Sequence, residues 1–179
     1  MLLGTAKRRI PGEAVDANAT IDRIQDRMVR VGTDIRRVSH DLHPPILPES
    51  GLPGAVRAYC EQFSASSGIP VSCDADENVR DLSRGAALAL FRVVQEALGN
   101  AAKHAAAGAI GVRLRRADDT VSLSVSDDGV GFDPGHQSHP SGGLGLIMMR
   151  ERATQLNGTF EFDSAPGRGT TISVVIPFR

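Results

Sequence analysis

Apolar residues recur at Ile21, Ile24, Met28, Val31, Ile35, Val38 and Leu42, in alternating steps of three and four. That is an a/d heptad seam, and it predicts a helix over 13–43 with Asp and Arg filling the other positions. A lone helix cannot bury such a seam, so it calls for a second helix, from the same chain or from another copy. Pro44, Pro45 and Pro48 stop this helix. Residues 52–68 read as a second helix with Pro53 near its start, and 69–74 as a short strand. Asp81 or Ser83 is placed to cap a third helix that runs to about Ala106. Two strands follow, over 110–116 and 121–127. In the second, Val121, Leu123 and Val125 alternate with Ser122, Ser124 and Ser126, as on a half-buried strand. A loop rich in Gly, Pro, Ser and His spans 128–143. A helix over 144–157 ends at Gly158. A hairpin, 159–164 and 170–177, turns across Pro166-Gly167-Arg168-Gly169. Helices grouped apart from mostly antiparallel strands predict an α+β sandwich with one helical layer. The expected domain division is 1–48, the heptad helix and a linker, and 49–179, the sandwich.

The third helix carries a polar stripe. At about 100° per residue, Phe91, Val94, Leu98, Ala101 and Ala105 fall within an arc of roughly 80° opposite Glu96. Asn100, Lys103 and His104 fall on the side of Glu96. One face therefore packs on a sheet. The other presents a carboxylate, an amide, an ammonium and an imidazole. Taken alone, such a stripe is also what a solvated helix face shows.

Composition narrows the chemistry. Aromatic residues make up 4% of the chain, with no Trp, so the core is aliphatic and base-stacking platforms for single-stranded nucleic acid are not expected. A net charge of -1 gives no electrostatic pull toward nucleic acid or an anionic membrane. No apolar run approaches the roughly 20 residues that span a bilayer. Cys60 and Cys73 lack metal-site spacing and read as the reduced thiols of a cytoplasmic protein. An anchor in the parent protein, if it has one, is not in this sequence.

Two glycine motifs follow the polar helix. The strand over 121–126 runs into Asp127-Asp128-Gly129-Val130-Gly131-Phe132, where glycines let the backbone approach a ligand and a carboxylate stands ready for an exocyclic amine. Ser141-Gly142-Gly143-Leu144-Gly145-Leu146 then leads straight into a helix, the arrangement of a phosphate site at a helix start. No Gly-Lys-Ser/Thr follows, so this is not a P-loop. No βαβ unit surrounds it, so it is not a Rossmann fingerprint.

The order of these features resembles the ATPase family shared by histidine kinases, DNA gyrase, a heat-shock chaperone and a mismatch-repair protein. The segment from Glu96 to His104 is similar to its N box, and 127–132 to its first glycine box. Gly143-Leu144-Gly145-Leu146 is similar to the second glycine box and Gly167-Arg168-Gly169-Thr170 to the closing motif. The resemblance covers about residues 50–179. It implies a Bergerat ATP-binding fold: a two-layer α/β sandwich, its sheet mixed but mostly antiparallel, preceded here by the long helix. His104 after Lys103 points to the histidine kinases, and Ser39-His40-Asp41-Leu42-His43-Pro44-Pro45 resembles the end of the second dimerisation helix in one of their branches. Ser141 stands where such proteins often have Gly.

The resemblance implies roles residue by residue. Asn100 coordinates Mg²⁺ carried by ATP, and Lys103 and His104 lie near the phosphates. Asp127 accepts from the adenine amino group. Gly129 and Gly131 shape the adenine pocket, and Thr170 backs it. Gly143, Leu144, Gly145 and Leu146 belong to the lid over the phosphates. Glu96 acts as the general base. The implied partners are ATP, a response-regulator receiver domain and, in the whole protein, a second copy. In the branch resembled, the phosphate-accepting histidine lies on the first dimerisation helix, and nothing before residue 21 matches it. His40 and His43 then sit at a helix C-terminus, where cations are favoured. Two other readings compete: a serine kinase of the same fold acting on an anti-sigma partner, and a degenerate kinase that only dimerises and docks.

Overall fold

A computed structural model describes residues 47–133 and 144–178. The heptad helix expected over 13–43, the prolines Pro44 and Pro45, and the residues Ser141, Gly142 and Gly143 lie outside the described residues, as do His40, His43, His136 and His139.

Alternating burial along the strands sets the layers. The strands are β1 (Val71–Ala75), β2 (Ile110–Ala117), β3 (Thr120–Asp127), β4 (Thr159–Ser164) and β5 (Thr170–Pro177). On β2, Ile110, Val112 and Leu114 are buried. On β3 the buried set is Val121, Leu123 and Val125, and on β5 it is Ile172, Val174 and Ile176. A period of two puts each set on one face. The intervening positions, such as Arg113, Ser122, Ser124 and Ser173, are not buried, as expected of an antiparallel sheet with one polar face. The strand order is β1-β2-β3-β5-β4. β1 runs parallel to β2, and every other pair is antiparallel. The sheet is thus the mixed, mostly antiparallel one expected. β1 starts at Val71 rather than Ile69 because Pro70 has no N–H to give the ladder. Its carbonyl still accepts from Ile110 N at 2.9 Å.

Three helices cover the apolar face. α1 (Leu47–Ser67) breaks at Gly51 (φ 64, ψ -175), so its regular part begins at Leu52, with Pro53 in the first turn where no N–H is needed. α2 (Arg84–Asn100) is capped by Ser83, whose side chain accepts from Ala86 N at 3.3 Å. Ser83, not Asp81, is therefore the cap. α3 spans Leu144–Gln155. Leu52 and Val56 of α1, Leu90, Val94 and Leu98 of α2, and Met149 of α3 join the strand residues in one core cluster. Each such side chain contributes about 1.5–3 kcal/mol by leaving water. Ile46–Arg179 forms one compact unit. No described helix is long and apolar enough to cross a membrane.

The end of α2 positions the site. Ala101–Ala105 forms a π-helical turn, and Ala106 closes it in the left-handed region at φ 47. The Ala105 carbonyl leaves the helix and accepts from Val130 N at 2.7 Å. The helix end is thereby stitched to the loop that follows β3.

Candidate functional site

One row of residues at the end of the sheet breaks the apolar pattern. Asp127 on β3 pairs with Thr170 on β5, and Thr170 pairs with Ser164 on β4. By strand alternation all three share the inward face with Val125, Ile172 and Phe162, the next row along. A cavity of about 290 Å³ opens here. Its sheet-side wall is Asp127, Gly131, Phe132, Thr170 and Ile172. Ala97, Asn100, Ala101, His104 and Ala105 form the wall from α2 and its π-turn, and Gly145 and Leu146 come from the start of α3. Mostly apolar walls with a few convergent polar groups are the usual make-up of a small-molecule site, and the volume is at the lower end of the roughly 300–1,000 Å³ such sites span.

The structure brings together Asn100, His104, Asp127, Gly131, Gly145, Leu146 and Thr170, all expected at the site. Lys103 is exposed and does not line the cavity. The π-turn is the reason. It holds more residues per turn than an α-helix, so residues beyond Asn100 lag behind the helical angle. By that count His104 turns toward the line of Glu96, and it lines the cavity while Lys103 does not. Glu96 is half-buried just beyond the cavity wall, where a Cβ on Gly145 would lie 2.3 Å from its Oε1 and 3.3 Å from Asn100 Nδ2. Gly129 lies behind the cavity, pressed on the π-turn: a Cβ there would stand 2.3 Å from Ala105 O. Gly143 is outside the described residues, and Leu144 is the first residue of α3.

Two neighbouring carboxylates do different work. Asp127 Oδ1 accepts from Gly129 N at 3.0 Å, closing the first turn of the glycine loop, and the carboxylate borders the cavity. Asp128 points away. Its Oδ1 accepts from Ala109 N at 2.9 Å and Gly108 N at 2.7 Å. Those two amides, Ala109 first, hold its carboxyl below the usual aspartate range.

Sequence reasoning missed Ala97, Ala101, Ala105, Phe132 and Ile172 as cavity walls. It assigned Ala101 and Ala105 to the core-facing arc, and they are buried. Being small, they also leave the space the cavity occupies. Ile172 had a legible signal, since it stands two residues beyond Thr170 on the same strand face.

Comparisons with known proteins bear on the family and the fold. Residues 85–179 match the model of the family described as histidine kinase-, DNA gyrase B- and HSP90-like ATPase. The chain is 37% identical over 174 residues to the sensor histidine kinase MctS of Rhizobium johnstonii, covering 96% of this chain and 37% of that protein. It is 37% identical to the oxygen sensor histidine kinase NreB of Staphylococcus carnosus, covering 92% of this chain and 46% of that one. The chain thus spans less than half the length of these relatives. The histidine kinase domain of the blue-light activated histidine kinase EL346 of Erythrobacter litoralis shares the fold, with a TM-score of 0.67 at 20% identity, over 98% of this chain and 90% of that domain. The chain belongs to the histidine kinase-, DNA gyrase B- and HSP90-like ATPase family and carries its ATP-binding domain.

Proposed function

We propose that the chain holds ATP with Mg²⁺ in this cavity and positions the γ-phosphoryl group for in-line transfer to a histidine outside the chain. The observation that carries the reading is the pairing of Asp127 with Thr170 at one side of an apolar cavity whose other side is built from Asn100, His104 and the start of α3. Asp127 accepts from the adenine amino group. Gly131, Phe132, Ile172 and Leu146 flank the base, and Thr170 backs it.

The residues present suit a cation that arrives on the phosphates. Among the described residues no group of three or more His, Cys, Asp or Glu gathers to hold a metal. Mg²⁺ bound through phosphates needs only one or two protein ligands, and the Asn100 amide oxygen supplies one. The ion, when bound, neutralises charge on the phosphate oxygens during transfer. His104 lies beside the phosphates, and Lys103, from outside the wall, adds positive charge near them. Gly145, at the start of α3, belongs to the segment that folds over them. Glu96 takes the proton from the attacking imidazole as general base. Catalysis then rests mainly on positioning.

In the whole protein, 1–48 supplies a dimerisation helix and linker and 49–179 the ATP-binding unit. That protein acts as a cytoplasmic homodimer, without nucleic acid, and hands its phosphoryl group to the receiver domain of a response regulator. Neither the anti-sigma serine kinase nor the degenerate docking module is favoured by relatives that are sensor histidine kinases. Calorimetry with ATP, with and without Mg²⁺, tests the site. Binding strengthened by Mg²⁺ and severely weakened in Asp127→Asn is expected. Unchanged affinity in that variant removes Asp127 from the site. Stoichiometric acid-labile phosphate on the chain after incubation with ATP would show that a histidine here is the acceptor after all.

A further inference from the structure

Ser164 is the one buried polar side chain among the described residues, 9% exposed, and the proposed ATP chemistry leaves it without a role. It ends β4, opposite Thr170 at the start of β5, which in turn lies opposite Asp127 at the end of β3. Its Oγ accepts from Phe132 N at 2.9 Å and donates to Gly169 O at 3.0 Å, and it stands 3.1 Å from Thr170 Oγ1. One hydroxyl therefore ties together the end of the first glycine loop, the turn before β5 and a residue that borders the cavity.

Counting protons fixes the direction of the last contact. A serine hydroxyl has one proton and two acceptor sites. The proton goes to Gly169 O, and one acceptor site takes Phe132 N–H. What remains can only accept, so Thr170 must be the donor. With its single proton committed to Ser164, Thr170 offers the cavity lone pairs only. Asp127, beside it, is also an acceptor. This end of the cavity thus presents acceptors without a competing hydroxyl donor.

We infer that Ser164 is a positioning residue for base specificity: by holding the Thr170 proton away from the cavity, it makes the site select a purine with an amino group at position six over one with an oxo group there. The inference rests on the ATP reading of the cavity and deepens it. A six-oxo base would set its oxygen against two acceptors and leave them unpaired, and buried acceptors left unpaired are the strongest means by which a site rejects an analogue.

Inosine triphosphate is the probe, since it differs from ATP only in the base, with oxo for amino at position six and a proton on N1. The full chain is titrated with each nucleotide and Mg²⁺ by calorimetry. ATP should bind about tenfold or more tighter than inosine triphosphate, one mismatched buried hydrogen bond being worth roughly that much. In Ser164→Ala the Thr170 hydroxyl is free to turn and donate, so the preference should fall to about threefold or less. Ser164→Thr, which keeps the hydroxyl, should restore it. In a Thr170→Val background, Ser164→Ala should change the preference no further, because the two act as one unit. If Ser164→Ala does not fold, Ser164→Cys, with its weaker donor and acceptor, replaces it with the same expected narrowing. Equal loss of affinity for both nucleotides, with the preference unchanged, overturns the inference and leaves Ser164 a structural residue. Wild-type binding of ATP and inosine triphosphate with equal affinity overturns it too, while leaving the nucleotide site intact. Binding of neither overturns the ATP reading itself and this inference with it.

Discussion

Gly145 at the start of α3 and Glu96 on α2 approach so closely that a Cβ on Gly145 would lie 2.3 Å from Glu96 Oε1. The atom it meets is the far end of a side chain, so the fold has a cheap way out: Glu96 swings aside. The consequence falls on the site, because Asn100 Nδ2 would also be only 3.3 Å from that Cβ. Gly145→Ala should therefore leave stability within about 1 kcal/mol of wild type, the better helix propensity of Ala offsetting the crowding. Nucleotide affinity should fall by about tenfold as Glu96 and Asn100 are displaced, a cost near 1.4 kcal/mol. A thermal melt and a calorimetric titration on one sample separate the two effects. A large drop in melting temperature with unchanged affinity would contradict this account.

Gly129 presents the opposite case. A Cβ there would lie 2.3 Å from Ala105 O and 2.8 Å from its carbonyl carbon, and backbone has no side-chain freedom with which to yield. The same carbonyl accepts from Val130 N at 2.7 Å. Gly129→Ala should part the glycine loop from the π-turn, breaking that bond and straining both segments, at a cost of about 1–3 kcal/mol. The melting temperature should drop by several degrees and ATP binding should weaken with it. Equal melting temperatures for variant and wild type would show that the loop moves off the helix at no cost.

These two glycines mark how far the sequence could be read. Alternation along β3 and the turn signals at Pro166–Gly169 placed the hairpin to the residue and its neighbour to within one. Each signal is local and depends only on which face a side chain takes. The order of the glycine motifs relative to Asn100 and Asp127 was equally legible. The π-turn was not, because Ala101-Ala102-Lys103-His104-Ala105 reads as an ordinary helix. Its end is tied to a segment distant in sequence by the bond from Val130 N to Ala105 O. The wider turn accords with His104 reaching the cavity while Lys103 does not. The hydroxyl network of Ser164 was illegible for the same reason, since its partner Phe132 is distant in sequence.

Asp128 gives a pH signature. The amides of Ala109 and Gly108 bond its carboxylate and depress its pKa below the ordinary 3.8. A carboxyl depressed by folding stabilises the protein above its unfolded pKa, and that contribution is lost as pH falls through the folded value. Asp128→Asn removes the charge but keeps an oxygen acceptor. Wild type should therefore be the more stable of the two above about pH 4, with the gap closing on further acidification. Urea melts across an acid series measure this. A gap that stays constant down to pH 2 would mean that the carboxylate charge plays no part in holding 108–109.

Cys60 and Cys73 lack a motif spacing, yet α1 packs on β1 and brings their thiols into hydrogen-bond contact. That bond with Cys73, followed by burial, pushes the Cys60 thiol up, well beyond the ordinary thiol range. The same bond pulls Cys73 down. Cys60 is buried and Cys73 half-buried. A thiolate is the nucleophile toward an alkylating reagent, and access controls its rate. In the native chain at pH 8, iodoacetamide should therefore modify Cys73 first. Cys60 should react only as α1 lifts from the sheet, at a rate that rises with added urea. Peptide mass spectrometry over a time course reads both sites. Faster labelling of Cys60 than of Cys73 in the folded protein would place the proton on the other sulfur and α1 farther from β1 than described.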